Sequence, residues 1–343
     1  MEFIVRGATL VNPERCFTAD VWIKDEMIHY IHEHIPPKPP IKEIDGSACY
    51  MLPGFFHFGT SLGSQRMSVQ ELKSTQEQWC KKGITSYVDD LMITYDSNWR
   101  TRLGYELAMH HNSWLAHWTR LRVPYRSMNE SLIRAVLAHP IPMLELIFQP
   151  SEQPVGSFWS LLLNGFARRR KALKLSFADE CTERDRKRWI AEHLPMLVSM
   201  LEYRGIPLVL DERADMLACV NERKMACSRY ITWEVNRNAE LSYERKQFGT
   251  YDISSINMCK AGVEKALQRL VNAASRQPAR LFGAYPQKGA LVPGTEADFF
   301  LIEKNFFGNP ATFLAPSFVY TKGRRNRHLI FTETDTKVCN IAL

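Results

Sequence analysis

The sequence predicts an α/β protein, a parallel (β/α)8 TIM-like barrel with a small β-sandwich domain formed by both termini. From Leu52 onward, short apolar runs alternate with stretches of 3.6-residue periodicity, the pattern of repeated βα units. Roughly 230 residues carry eight such units, the size of one barrel. The two ends lack this alternation and read as short strands separated by turns. The chain is therefore divided at 1–50, 51–286 and 287–343, the outer segments forming the β-sandwich and the middle one the barrel.

Residues 1–50 carry strands at 3–5, 9–11, 20–23, 27–31 and 42–44, with a hairpin turn around Lys24-Asp25-Glu26. Pro36, Pro37, Pro39 and Pro40 fix φ and remove backbone donors, so an extended loop interrupts the strands there. Barrel strands are placed at 51–58, 84–89, 114–123, 143–148, 172–177, 207–210, 230–235 and 247–252. Helices at 69–82, 130–138, 184–203 and 258–275 each present one apolar face. Strands return at 289–291, 299–302, 318–321 and 328–331.

Length and composition fit this plan. A chain of 343 residues with 45% hydrophobic and 24% charged content buries a sizeable core and is neither disordered nor fibrous. The net charge of +7 is spread along the chain, with denser patches at 168–174, 184–188 and 322–327. None of these interleaves aromatics or forms a recognised module, so they read as solvated faces and nucleic acid is not an expected partner. Eight cysteines lack CxxC or zinc-type spacing and read as reduced, buried thiols. No apolar run reaches membrane-spanning length and the first residues carry charges, so no membrane association is expected and a cytoplasmic address is.

Three stretches, in order, carry a resemblance. The first is Ala19-Asp20-Val21-Trp22-Ile23-Lys24-Asp25, followed by Ile44-Asp45-Gly46 and Met51-Leu52-Pro53-Gly54-Phe55. The second is Lys82-Gly83-Ile84-Thr85-Ser86-Tyr87-Val88-Asp89. The third joins Pro278-Ala279-Arg280-Leu281-Phe282-Gly283 to Lys288-Gly289-Ala290-Leu291-Val292-Pro293-Gly294-Thr295-Glu296-Ala297-Asp298. Together they resemble the amidohydrolase superfamily, in particular its dihydroorotase, dihydropyrimidinase and adenine deaminase branches. The resemblance implies a barrel flanked by a two-ended β-sandwich, and metal-assisted hydrolysis of an amide or amidine. One departure lies in the first hairpin, where the family has Asp-Gly and this chain has Asp25-Glu26. A non-glycine residue at positive φ costs about 1 kcal/mol, which points to another turn geometry.

The family's metal motif places two histidines at i and i+2 at the end of strand one, so that both point to the same face. The aligned residues here are Gly59 and Ser61. Glycine has no donor atom and a neutral serine hydroxyl is a poor ligand, so the metal-ligand motif is degenerate. His57 stands where the family has aspartate; a one-residue register slip brings it inward as a weak metal candidate, and otherwise it is a histidine satisfied by backbone bonds. The resemblance further implies a carboxylated lysine or a glutamate on strand four, for which Glu145 and Lys174 are the weak candidates, Lys174 reading equally well as a surface residue. It also implies histidines on strands five and six, yet Asp211, Glu212 and Glu234 are what the sequence offers at the ends of strands six and seven. Asp252, in Gly249-Thr250-Tyr251-Asp252, aligns with the strand-eight aspartate and is the candidate catalytic base, or else a helix N-cap before Ile253. His117, alternating with Trp118, is a candidate substrate-binding residue if it faces inward and a packed core histidine if it does not.

Two functional readings follow. In one, the chain is an amidohydrolase relative that has lost catalysis, binds a partner or small ligand, and needs no cofactor. In the other it is a divergent hydrolase of cyclic-amide or deaminase-type C–N bonds, whose carboxylates Glu145, Asp211 and Asp252 hold a divalent metal. The partners expected are a small-molecule ligand, a second copy in a homo-oligomer, or an amidohydrolase-type partner subunit. Whether the chain is an enzyme stays open at this point.

Overall fold

Gly54 is where the chain passes from one sheet to another. A Cβ there would lie 1.9 Å from Thr85 Oγ1, so only glycine fits, while its N–H donates to Asp298 O at 3.0 Å and its carbonyl accepts from Ser275 Oγ at 2.6 Å. The run 51–58, expected as one strand, is therefore two: β5 (Cys49–Pro53) belongs to the terminal sheet and β6 (Phe55–Thr60) opens the second. The computed structural model describes residues 2–62, 67–94, 98–109, 113–154, 156–211, 231–234, 247–249, 251, 262–306, 318–321 and 327–329.

The terminal sheet combines β1 (Glu2–Val11), β2 (Cys16–Lys24), β3 (Met27–His32), β4 (Lys42–Asp45) and β5 with β14 (Phe299–Glu303), β15 (Phe318–Thr321) and β16 (Arg327–Leu329). The order is β16-β15-β14-β5-β1-β2-β3, with β4 paired to β1. Segments 3–5 and 9–11 form one strand whose register shifts between Val5 and Ala8, around Gly7 at φ 62°. One face of the sheet buries Phe3, Val5, Leu10, Val21, Met51, Phe299 and Tyr320 as a core of its own. The Asp25-Glu26 turn keeps the primed hairpin geometry after all, with φ of 50° and 67°. Glu26 is held there because its carbonyl accepts from Ala297 N at 2.8 Å. Residues 289–291 are not a strand: the Asn12 side chain satisfies Leu291, accepting from its N–H at 3.1 Å and donating to its carbonyl at 3.2 Å.

The second sheet has eight parallel strands in sequence order: β6, β7 (Ile84–Met92), β8 (Ala116–Pro124), β9 (Met143–Phe148), β10 (Ala172–Phe177), β11 (Leu208–Asp211), β12 (Ile231–Glu234) and β13 (Gln247–Phe248). Between them run α1 (Val69–Cys80), α2 (Trp99–Met109), α3 (Glu130–Ala138), α4 (Phe158–Arg169) and α5 (Glu183–Tyr203), followed by α6 (Val263–Val271) and α7 (Gln277–Leu281). Capping boxes from Ser68 and Glu71 and from Thr182 and Asp185 start α1 and α5, satisfying backbone donors that have no partner within the helix. The part of the expected 258–275 helix before 262 lies outside the described residues, and its last turn widens to a π-helical turn at Asn272–Arg276.

The sheet curls so that Phe58 of its first strand meets Phe248 of its last, ring centroids 5.0 Å apart. Inside lie Phe56, Val88, Met143, Ala172 and Val209, with Ala279, Leu281 and Phe282 closing the end where the strands begin. Outside, Tyr87, Leu121, Leu144 and Phe148 pack against helix residues such as Leu132, Leu162, Trp189 and Leu194. The coarse expectation of an α/β chain with a curled parallel sheet, and with strands from both ends in one other sheet, is thus met. No helix among the described residues is long and apolar enough to cross a membrane. Cys16, Cys80 and Cys181 are free thiols.

The two sheets meet where Phe300 packs edge-on against Phe55 at 4.9 Å and covers Gly83. Gly83 has φ +78°, and a Cβ there would lie 2.8 Å from the Phe300 ring. Gly83→Ala is expected to cost about 1–3 kcal/mol in urea denaturation through overpacking and strain. Combining it with Phe300→Leu should cost less than the two separate losses; simple additivity would show that the ring does not meet residue 83.

Candidate functional site

Alternation along each strand decides which side chains enter the curled sheet. Strand register aligns Asp90 with Arg120, Arg122 with Glu145, and Glu145 with Lys174, so charged residues on neighbouring strands face one another. The pattern repeats: Val88 is followed two residues on by Asp90, Trp118 by Arg120, Met143 by Glu145, Ala172 by Lys174, Val209 by Asp211 and Thr232 by Glu234. An inner layer without charge therefore gives way to a charged one towards the strands' C-terminal ends.

Arg120 is the centre of that layer. Its Nε and Nη2 donate to Asp90 Oδ1 and Oδ2, both at 2.7 Å. Its Nη1 donates to both Glu234 oxygens, at 2.9 and 2.7 Å, and Nε lies 3.5 Å from Glu145 Oε2. Lys174 Nζ lies 2.7 Å from Glu234 Oε2, 3.0 Å from Asp211 Oδ1 and 3.6 Å from Glu145 Oε2. Arg122 Nη2 reaches Glu145 Oε1 at 3.1 Å, and Ser176 Oγ donates to the same oxygen at 2.8 Å. Three cations thus hold four carboxylates, and Arg120, Glu145 and Lys174 are 3%, 1% and 5% exposed.

The electrostatics follow from this crowding. Burial opposes the charge on Arg120, but Glu234, Asp90 and Glu145 hold its pKa well above the ordinary value. Lys174 is likewise raised, burial being overcome mainly by Glu234. Burial would lift the Glu234 carboxyl, yet Arg120 and Lys174 bring it down to about 2. Glu145 is lowered because Lys174, Arg120 and Arg122 outweigh its burial. Asp90 goes the other way: burial outweighs the pull of Arg120 and raises it.

The residues expected from the sequence are distributed differently. Glu145 and Lys174 do converge, but as partners in one ion-paired network, so Lys174 is not the surface residue that Leu173-Lys174-Leu175 allows. His57 is in register with Tyr87 on the outer face and packs against Trp79 at 4.8 Å, which removes it from the interior. His117 is also in register with Tyr87, their rings 5.9 Å apart, while Trp118 packs with the inner cluster; the inward-facing alternative is therefore corrected. Gly59, at φ +74°, ends β6 with open space at its Cβ position, and Ser61 lies beyond the strand. Asp252 and Glu212 lie outside the described residues. Sequence reading missed Asp90, Arg120 and Arg122; the signal was an uncharged residue followed at i+2 by a charge, repeated over consecutive strands.

This donor set does not fit the divalent metal that the resemblance implies. Strand one offers Phe56 and Phe58 to the interior, and each carboxylate of the layer already faces a fixed arginine or lysine. A divalent cation there would sit beside Arg120 and Lys174. No group of three His, Cys, Asp or Glu among the described residues is arranged to hold a metal ion.

A buried network of this kind is stabilising only while complete, since removing one partner leaves uncompensated charge. Arg120→Ala is therefore expected to cost about 3–5 kcal/mol in chemical denaturation. The pH dependence follows from Glu234, whose folded pKa is depressed to about 2. Its stabilising contribution is complete above the unfolded value of about 4.3 and is lost as pH falls towards the folded one. Melting temperature should therefore fall more steeply below that pH in the native protein than in Glu234→Gln; equal slopes would remove Glu234 from the network.

Comparisons with known proteins agree with this fold. No family model matches the chain. Among curated proteins, D-phenylhydantoinase of Escherichia coli O9:H4 (strain HS) is 24% identical over 162 residues, covering 46% of this chain and 32% of the relative. The match thus spans about a third of that protein's length. Among solved structures, D-hydantoinase (dihydropyrimidinase) from Thermus sp. superposes with a TM-score of 0.65 at 14% identity, covering 93% of this chain and 94% of that one. L-hydantoinase from Arthrobacter aurescens gives 0.64 at 14% identity over 97% and 98% of the two chains. N-acetylglucosamine-6-phosphate deacetylase from Pasteurella multocida gives 0.61 at 13% identity over 95% and 100%. These likenesses show a fold shared with the hydantoinases and the deacetylase, and the partial match to D-phenylhydantoinase agrees with the resemblance to the amidohydrolase superfamily carried by Leu52-Pro53-Gly54-Phe55.

Proposed function

We propose that this chain is a catalytically degenerate amidohydrolase, a closed (β/α)8 barrel with a two-ended β-sandwich, that acts by binding a small ligand or a partner chain rather than by turnover. The observation that carries the reading is Arg120 in double contact with both Asp90 and Glu234, while Lys174 spans Glu234 and Asp211. Metal-assisted hydrolysis needs a Lewis acid with an open coordination position and a water acidified towards neutral pH. A guanidinium and an ammonium supply positive charge without either. They neutralise the carboxylates and leave the fold standing with its own counterions. The free thiols suit a reducing, cytoplasmic setting.

A second reading, a divergent hydrolase of C–N bonds, is favoured by Asp90, whose raised pKa makes it a proton carrier closer to neutral pH than an ordinary carboxylate. The two readings separate on one preparation. Protein exposed to zinc, manganese or magnesium and then desalted is expected to retain substoichiometric metal, and not to open the ring of hydantoin or dihydrouracil. Stoichiometric metal together with turnover that Asp252→Asn abolishes without loss of folding would establish the second reading instead.

A further inference from the structure

We propose that the concavity at the opposite end of the curled sheet, where the strands begin, binds a small phosphate monoester carried on a flat ring. The concavity has a volume of about 410 Å³. It is lined by Arg169, Arg170 and Lys171 at the end of α4, by His117 and Trp118 at the start of β8, and by Phe282 after α7. Among the described residues no aspartate or glutamate lines it, so three basic residues face the same space without a counter-charge from those residues.

The cations are not idle surface charges of the usual paired kind. On α5, Lys187 pairs with Glu183 at 2.7 Å and Arg188 with Glu192 at 3.1 Å. Among the described residues, the side chains of Arg169 and Arg170 have no hydrogen-bond or ion-pair partner. Arg170 caps α4 in the left-handed conformation, φ 52° and ψ 41°, a position where glycine carries no strain. An arginine kept there puts a guanidinium at the lip of the concavity against the local backbone preference. Lys171 is anchored from within, its ammonium donating to His139 O at 2.9 Å and Ile141 O at 2.5 Å, which leaves one of three donors. Burial and the neighbouring Arg169 push its pKa down to about 8, a cost that a bound anion would relieve.

The class of ligand follows from these parts. Guanidinium forks match phosphate oxygens in pairs, and a small concavity favours a compact ligand over a polymer. Trp118 and Phe282, ring centroids 6.3 Å apart, supply an apolar wall for a flat ring. The site is separate from the charged layer, which lies towards the C-terminal ends of the strands, and it does not depend on whether that layer is catalytic.

The test is calorimetric titration of the full chain with phenyl phosphate, inorganic phosphate, benzoate and a single-stranded DNA oligonucleotide. Saturable one-to-one binding of phenyl phosphate, tighter than that of phosphate or benzoate, is expected. Arg170→Gly should weaken it about tenfold, the loss of one charge-assisted hydrogen bond, while the melting temperature stays level or rises. Arg169→Ala, on an exposed last turn, should weaken it similarly and serves as the second variant. Absence of saturable binding at about 10 mM ligand, or affinity unchanged in both variants, would overturn the proposal. So would tighter binding of the oligonucleotide than of phenyl phosphate, which would make this end a polyanion-binding face.

Discussion

Arg120 is the constraint around which the interior is arranged. A guanidinium buried to this depth is tolerable only if nearly every donor is used, because removal from water costs several kcal/mol that attraction must offset. Asp90 and Glu234 meet that condition from two sides, Asp90 as a fork on Nε and Nη2 and Glu234 with both oxygens on Nη1. Arg120 and Glu234 are 114 residues apart in sequence, on β8 and β12, so the contact spans the inside of the curled sheet. Lys174 repeats the device from β10, reaching Glu234 and Asp211. The brace across the sheet is therefore built from side chains.

The rest of the interior can be understood as insulation for this layer. Phe56, Phe58, Val88 and Phe248 fill the sheet beside it, and Phe282 closes the end where the strands begin. Low polarity on one side strengthens the ion pairs and at the same time raises the penalty for losing any of them. The terminal sheet fixes the entrance of the first strand through Gly54 and the Phe300 to Phe55 contact, so β6 enters in one register. Its register places Phe56 inside and His57 outside, where His57 packs against Trp79.

What the sequence made legible was local. The strands 143–148 and 172–177 and the helix 130–138 have the bounds expected of them, because each is a strong periodic run between turn residues. The expectation of a degenerate metal motif is likewise local, since it rests only on the identities of Gly59 and Ser61. Features that depend on distant partners were not. Lys174 reads as a surface residue from its own window, and only carboxylates on β9, β11 and β12 make its burial tolerable. Residues 289–291 read as a strand until the Asn12 side chain supplies the bonds a neighbouring strand would. Glu26 contradicts the turn preference locally and is held by Ala297 from the far end of the chain.

Arg120 and Glu234 act as one buried unit, and a double-mutant cycle measures that directly. Arg120→Met, Glu234→Gln and the combined variant would be compared with the native chain by urea denaturation. A coupling energy of about 2–3 kcal/mol is predicted, the upper part of the range for residues in one ion-pair network. Additivity within about 0.5 kcal/mol would show that the two side chains do not hold each other and that the interior does not depend on their contact.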